Sequence, residues 1–317
     1  MNKREKEEER KNAEVKEMIA LHKKWLDGEP DGIRADFSRK SLSCVCFCSS
    51  WGEYKTDLRG AIFNGAELRE TNFTYTQLDG AQFENADLYR AVFEFALLDR
   101  ANFNKANLQN ADMNRTDINN AEFKGANLNN ADLTLSSLRN TDFCEAIMLG
   151  VDLSWAQMDG AKMHRTNLLE AKMRIAHLHN VDLSEANLSE ADLCYASLVG
   201  ADLRGADLSR ANLMHSTLRF ANLRGAKLTY AILNDANLMG ADLRGAKIDL
   251  SAWPLWCGSK DVIVDISVVY QLLAHTACLK CSDTDGVAFE EIKKVILPYA
   301  MKSHRAYDLL ITEEERR

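Results

Sequence analysis

The chain has 317 residues, 46% of them hydrophobic, with only three prolines, so it can bury a large core. Its formal net charge of −8 argues against a nucleic-acid binder held by phosphate contacts, which needs a basic surface. No apolar run approaches the roughly 18 residues of a membrane span, and the charged start lacks the apolar stretch of a signal peptide.

The first predicted element is a helix from about Lys3 to Leu26. Val15, Met18, Ile19, His22 and Leu26 fall on one stripe at helical spacing, and Gly28 suits its stop. Residues 1–30 are therefore expected to form an amphipathic capping helix. Three five-residue units follow, around Phe37, Leu42 and Phe47. They stand one residue out of register with everything after them. The segment Ser50 to Lys55 holds the extra residue, which predicts a bulge or short loop there.

From Thr56 to Leu250 the chain repeats Ala-(Asp/Asn)-Leu-x-x over 39 units, as at Ala86-Asp87-Leu88 and Ala241-Asp242-Leu243. The Leu, Phe, Met or Ile position is the centre of each unit, and a small residue stands two places before it. A period of five stays on neither one helical face nor one face of a flat strand. It suits a short extended step followed by a corner, with the centre and the small residue pointing inward. The position two after the centre is rich in Gly and Asn, the residues that tolerate positive φ in a tight turn. Phe63, Phe83, Phe103, Phe123 and Phe143 recur every 20 residues, which predicts four units per coil and one internal ladder of rings. Phe73, Phe93 and Met113 begin a second ladder on the opposite side.

On these residues the sequence resembles the pentapeptide-repeat family. The resemblance implies an all-β solenoid, a right-handed quadrilateral β-helix, here spanning residues 31–252. Residues 20 apart would then stack on adjacent coils, about 4.8 Å apart, and about ten coils would make a rod of roughly 45–50 Å. The end of such a rod exposes unpaired strand edges that must be covered, and the N-terminal helix is expected to cap that end.

Trp253-Pro254 breaks the repeat. Helical patterns follow over about 266–279, 287–297 and 300–312, so residues 253–317 are expected to form a C-terminal α-helical cap or module. In some relatives such helices dimerise the chain.

Candidate chemistry is sparse. Cys257, His275, Cys278 and Cys281 could supply four zinc ligands, but there is no second Cys-x-x-Cys, and simple thiols are the better reading. Cys44, Cys46 and Cys48 alternate in one unit and read as plain surface thiols, with a soft-metal site as the weaker alternative. Cys144 and His164 should be neighbours on adjacent coils, between Lys124 and Ser184. A Cys–His dyad is the minimum for a nucleophile, but no pocket is implied. His177 and His179 face outward from one step. Arg204, Arg224 and Arg244 form an outward ladder that Asp202 and Asp242 can offset.

One outer corner differs from the other three, which hold mostly Gly, Asn, Lys, Arg and Glu. It reads Tyr75, Phe95, Arg115, Leu135, Trp155, Ile175, Tyr195, His215, Asp235. Beside it lie Asp112, Asp132, Asp152 and Asp192. Contiguous exposed apolar area marks an interaction site, or else these side chains cover the fold itself. The sequence leaves both open. The expected function is a non-enzymatic protein-interaction scaffold that shows this apolar and acidic face to a protein partner or to a second copy. Homodimerisation would run through the corner or the C-terminal helices. No catalytic residue, cofactor or metal is expected, nor direct nucleic-acid or membrane binding. With its eight cysteines in no secreted-domain pattern, the chain reads as cytoplasmic and reduced. The alternative, implied by the resemblance alone, is a DNA mimic that binds and protects a type II topoisomerase (gyrase).

Overall fold

The computed structural model describes residues 3–48 and 56–248. The expectations for residues 253–317, the zinc candidates included, lie outside the described residues.

Most units use their backbone in the same way. The N–H of Phe63 donates to Gln82 O at 2.7 Å, and the N–H of Gln82 donates back to Ala61 O at 2.9 Å. The corner N–H of Gly65 donates to Glu84 O at 2.9 Å, and Ala66 N–H closes the turn onto Phe63 O at 3.0 Å. The bridges are parallel and join residues 20 apart, from Asp57 with Gln77 to Lys227 with Lys247. Four short steps and four corners therefore make each coil. A five-residue unit leaves one more N–H, that of the residue after the centre. In many units the Asp or Asn before the centre accepts it: Thr134 N–H donates to Asp132 Oδ1 at 2.9 Å, and Ser154 N–H to Asp152 Oδ1 at 3.0 Å. This local side-chain turn is the reason the repeat holds Asp or Asn there.

The centres and the small residues fill the interior, and Phe63, Leu108, Met163 and Leu223 are all fully buried. Phe63 and Phe83 stack at 4.8 Å, Phe83 and Phe103 at 4.8 Å, Phe103 and Phe123 at 4.7 Å. The second ladder meets the first edge-on across the interior, Phe83 against Phe93 at 5.9 Å. Both ladders extend to the first coil, where Phe37 stacks on Phe63 and Phe47 on Phe73, each at 5.0 Å.

The register shift is larger in length than a single residue. First-coil bridges join residues 26 apart, Asp36 with Ile62 and Cys46 with Asn72, so that coil is six residues longer than the others. The added length falls between Phe47 and Leu58. One unit of five plus one residue leaves the phase displaced by one, which is all that periodicity can register.

Helix α1 spans Lys3–Leu26. Val15 and His22 are buried in it, and Met18 and Ile19 pack against the solenoid core. The chain then turns back at once: Ile33 N–H donates to Leu21 O at 3.0 Å, and Ala35 N–H to His22 Nδ1 at 3.0 Å. Gly32 permits this approach, since a Cβ there would stand 2.3 Å from Trp25 N.

His22 ties this contact to pH. Burial holds its pKa below the ordinary 6.5, with the Asp57 carboxylate pulling the other way. The unfolded state therefore takes up the proton first as pH falls. The stabilisation is full above the unfolded value and is lost as pH drops below it. As pH falls below about 6.5, the protection of the α1 amides relative to their intrinsic exchange should drop, and His22→Gln should remove that dependence. An exchange rate that follows only the intrinsic pH trend in both proteins would refute the role given to His22.

Candidate interaction edge

The corner after each unit carries positive φ along the whole rod, and Gly, Asn, Arg, Glu and Lys fill most of these positions. On one edge bulky apolar residues take it instead: Phe95 at 58°, Leu135 at 60°, Trp155 at 63°, Ile175 at 59°, Tyr195 at 61°. The left-handed region costs an L-residue about 1–2 kcal/mol, and a β-branched residue is least at home in it. The fold alone does not require these side chains, because Asn140 and Asn180 make the same turn on the adjacent edge.

The edge is not uniformly open. Leu135, Trp155 and Tyr195 are 51%, 54% and 53% exposed, while Phe95 and Ile175 are half-buried. Tyr75 is a correction to the sequence reading: at 8% exposure it is buried, stacked on Phe95 at 4.8 Å. Arg115 interrupts the row, lying over Phe95 and 3.4 Å from Glu94. At the far end His215 stacks on Tyr195 at 4.7 Å and approaches Asp235 at 3.5 Å. The open ridge therefore runs from Leu135 to Tyr195.

The acidic row beside it divides in two. Asp152 lies 3.8 Å from Lys172, and Asp192 lies 3.1 Å from Arg174. Asp112 and Asp132 form no ion pair among the described residues, nor does Asp117 on the other flank. Each of these carboxylates also holds its local turn, Asp112 through Asn114 N–H at 3.2 Å and Asp192 through Cys194 N–H at 3.1 Å. Asn72 does the same for Thr74 N–H at 2.8 Å in the same row. The turn needs the oxygen and not the charge.

Replacing Ile175 by Asn removes the strained β-branched corner. Stability should hold or rise by about 0.5–1 kcal/mol, the lost apolar contact being partly offset by the relieved backbone. Thermal melting checks this, and a loss above that size would show that Ile175 serves the fold.

The other candidates resolve differently. His164 Nδ1 sits 2.8 Å from Ser184 Oγ, which in turn donates to Asp182 Oδ1 at 2.5 Å. Burial first, and then the Asp142 carboxylate, push the Cys144 thiol up, the opposite of what a nucleophile needs. His179 Nε2 lies 2.6 Å from Ser197 Oγ, and its ring centre is 6.1 Å from that of His177. Arg204 and Arg244 pair with Asp202 and Asp242, each at 2.5 Å, as the spacing predicts. Cys46 and Cys48 are joined in a disulfide and Cys44 is free, which corrects the reading of three surface thiols. Two adjacent outward positions of one step bring the sulfurs together.

Sequence reading of that one corner missed Phe220 and Tyr230, 59% and 62% exposed on two other edges. Each is the single aromatic among Gly, Asn, Arg and Glu at 20-residue spacing, a signal open to a row-by-row comparison of all four corners.

Four short parallel steps per coil around a continuous apolar core define a four-sided β-solenoid with one open apolar edge. The chain belongs to the pentapeptide-repeat family. The family model, described as pentapeptide repeats, matches in eight copies over residues 54–90, 86–125, 96–134, 136–174, 171–210 and 206–245. Members of this family fold as right-handed quadrilateral β-helices. Among solved structures the chain is similar to HetL, a protein involved in heterocyst differentiation regulation from the cyanobacterium Nostoc sp. strain PCC 7120. They share 28% identity over 70% of this chain and 94% of that one, with a TM-score of 0.37. It is also similar to QnrB1, a plasmid-mediated fluoroquinolone resistance protein, at 18% identity over 74% of this chain and 95% of that one, TM-score 0.48. A third is Rfr23 from the cyanobacterium Cyanothece 51142, at 30% identity over 41% and 64%, TM-score 0.24. No curated protein matches. No helix among the described residues is long and apolar enough to cross a membrane.

Proposed function

We propose that this chain is a non-enzymatic scaffold whose Leu135–Tyr195 ridge, with Asp112, Asp132, Asp152 and Asp192 beside it, binds a protein. One observation carries the reading. Leu135, Trp155 and Tyr195 stand exposed in a single row, each held at positive φ where smaller residues serve the turn as well. Backbone strain of this kind persists where a site uses it. Helix α1 sets Val15, Met18 and Ile19 on the solenoid core, which supports reading it as a cap over the first coil. Removing Trp155 and Tyr195 together tests the reading: association should be lost while the melting temperature stays.

Mimicry of duplex DNA is the second reading, favoured by Asp112, Asp117 and Asp132, which form no ion pair among the described residues. It falls short on overall charge. Residues 56–250 hold 26 acidic and 19 basic side chains, a net of −7. A duplex of the same length carries roughly 26 charges.

A further inference from the structure

We infer that the occupant of the ridge is an amphipathic α-helix of a partner protein, lying along the rod with its basic residues over Asp112, Asp117 and Asp132. The inference rests on the proposed interaction edge and names what that edge takes.

Three observations converge on a helix. The first is spacing. Corner side chains along this edge repeat at the coil step, 4.8 Å between the Tyr75 and Phe95 rings below the ridge and 4.7 Å between Tyr195 and His215 at its far end. An α-helix presents one apolar side chain per turn of about 5.4 Å, so over the three steps from Leu135 to Tyr195 it slips by only about 2 Å. An extended chain presents same-side residues every 6.6–6.8 Å or so and slips by about 6 Å over that distance. The second is the backbone. At the corners, Leu135, Trp155, Ile175 and Tyr195 donate their N–H groups to the next coil at 2.9–3.1 Å. No free strand edge runs along this side, so strand addition has nothing to pair with. A helix brings its own hydrogen bonds and needs only side-chain contact.

The third is charge. Asp152 and Asp192 already face Lys172 and Arg174. The carboxylates without an ion pair among the described residues, Asp112, Asp117 and Asp132, flank the N-terminal end of the ridge on both sides. A second copy docking in parallel on the same ridge would bring like charges together there, whereas a basic helix meets these carboxylates with opposite charge. Its positive N-terminal end suits the same carboxylates.

The test uses the full chain and three fluorescent peptides of about 20 residues, which span about 30 Å as a helix. One carries leucines at helical spacing with lysines on the flanks. The second has the same composition with leucines at every other position. The third is lysine-rich without leucine. Fluorescence anisotropy should show the helical peptide binding best. Trp155→Ala should weaken it about 30-fold. Asp112→Asn with Asp132→Asn should weaken it less, and most visibly at low salt.

Equal binding of all three peptides, untouched by Trp155→Ala, would overturn the inference, as would preference for the alternating peptide. If no peptide binds but the Trp155→Ala, Tyr195→Ala variant still loses association with a native protein or with itself, the helix is wrong and the edge stands. If that variant keeps its association, the edge fails as well.

Discussion

Replacing Phe103 by alanine should lower the unfolding free energy by about 3–5 kcal/mol. Phe103 is fully buried, stacked on Phe83 at 4.8 Å and on Phe123 at 4.7 Å, with Phe93 against its edge at 5.8 Å. Its backbone is fixed on both sides by the ladder to neighbouring coils, so the wall cannot collapse inward to fill the space. The cost should therefore include the cavity as well as the lost transfer energy. A solenoid coil contacts only its neighbours, and the damage should concentrate near the altered coil. Chemical denaturation gives the total, and hydrogen exchange should show protection falling around residue 103 before the distant C-terminal coils. A loss below about 1 kcal/mol would mean that the ladder does not hold the core together as the ring distances indicate.

Removing Trp155 and Tyr195 together should do the reverse: large for binding, small for folding. Both side chains are more than half exposed and point away from the core. Tryptophan and tyrosine are enriched among residues whose truncation costs 2 kcal/mol or more at an interface, a loss of at least about 30-fold in affinity. The melting temperature should stay, because alanine keeps the corner and only outer contacts are removed. Light scattering for self-association and calorimetry for a protein partner read the first effect, and a thermal melt reads the second. A fall of several degrees with association intact would assign both side chains to covering the fold. Set beside Ile175→Asn, the pair separates two costs on one edge. The first reads the strain at the corner, and the second reads what the exposed rings contribute to binding.

The period of five, the 20-residue recurrence of phenylalanine and the glycine-rich corners made the four-sided core readable residue by residue. They did so because each position has one fixed direction in the coil and residues 20 apart must stack. Periodicity also located the odd corner. It could not tell that Tyr75 is covered while Trp155 is open, since both occupy the same position in the unit. What differs is what stands next to them in space, and Tyr75 lies beside the longer first coil. Nor could it separate the two uses of the aspartates. Asp132 and Asp152 hold the same turn, but only Asp152 has a lysine from the next coil within reach. The same holds for His164, whose imidazole meets Ser184 one coil above, while the Cys144 thiol one coil below meets only its backbone. The sequence by itself determined the repeat, the inward residues and the coil length, because these follow from local geometry applied over and over. Only the tertiary structure decided which outward side chains are free, since freedom depends on neighbours a whole coil away and on side-chain reach that no spacing encodes.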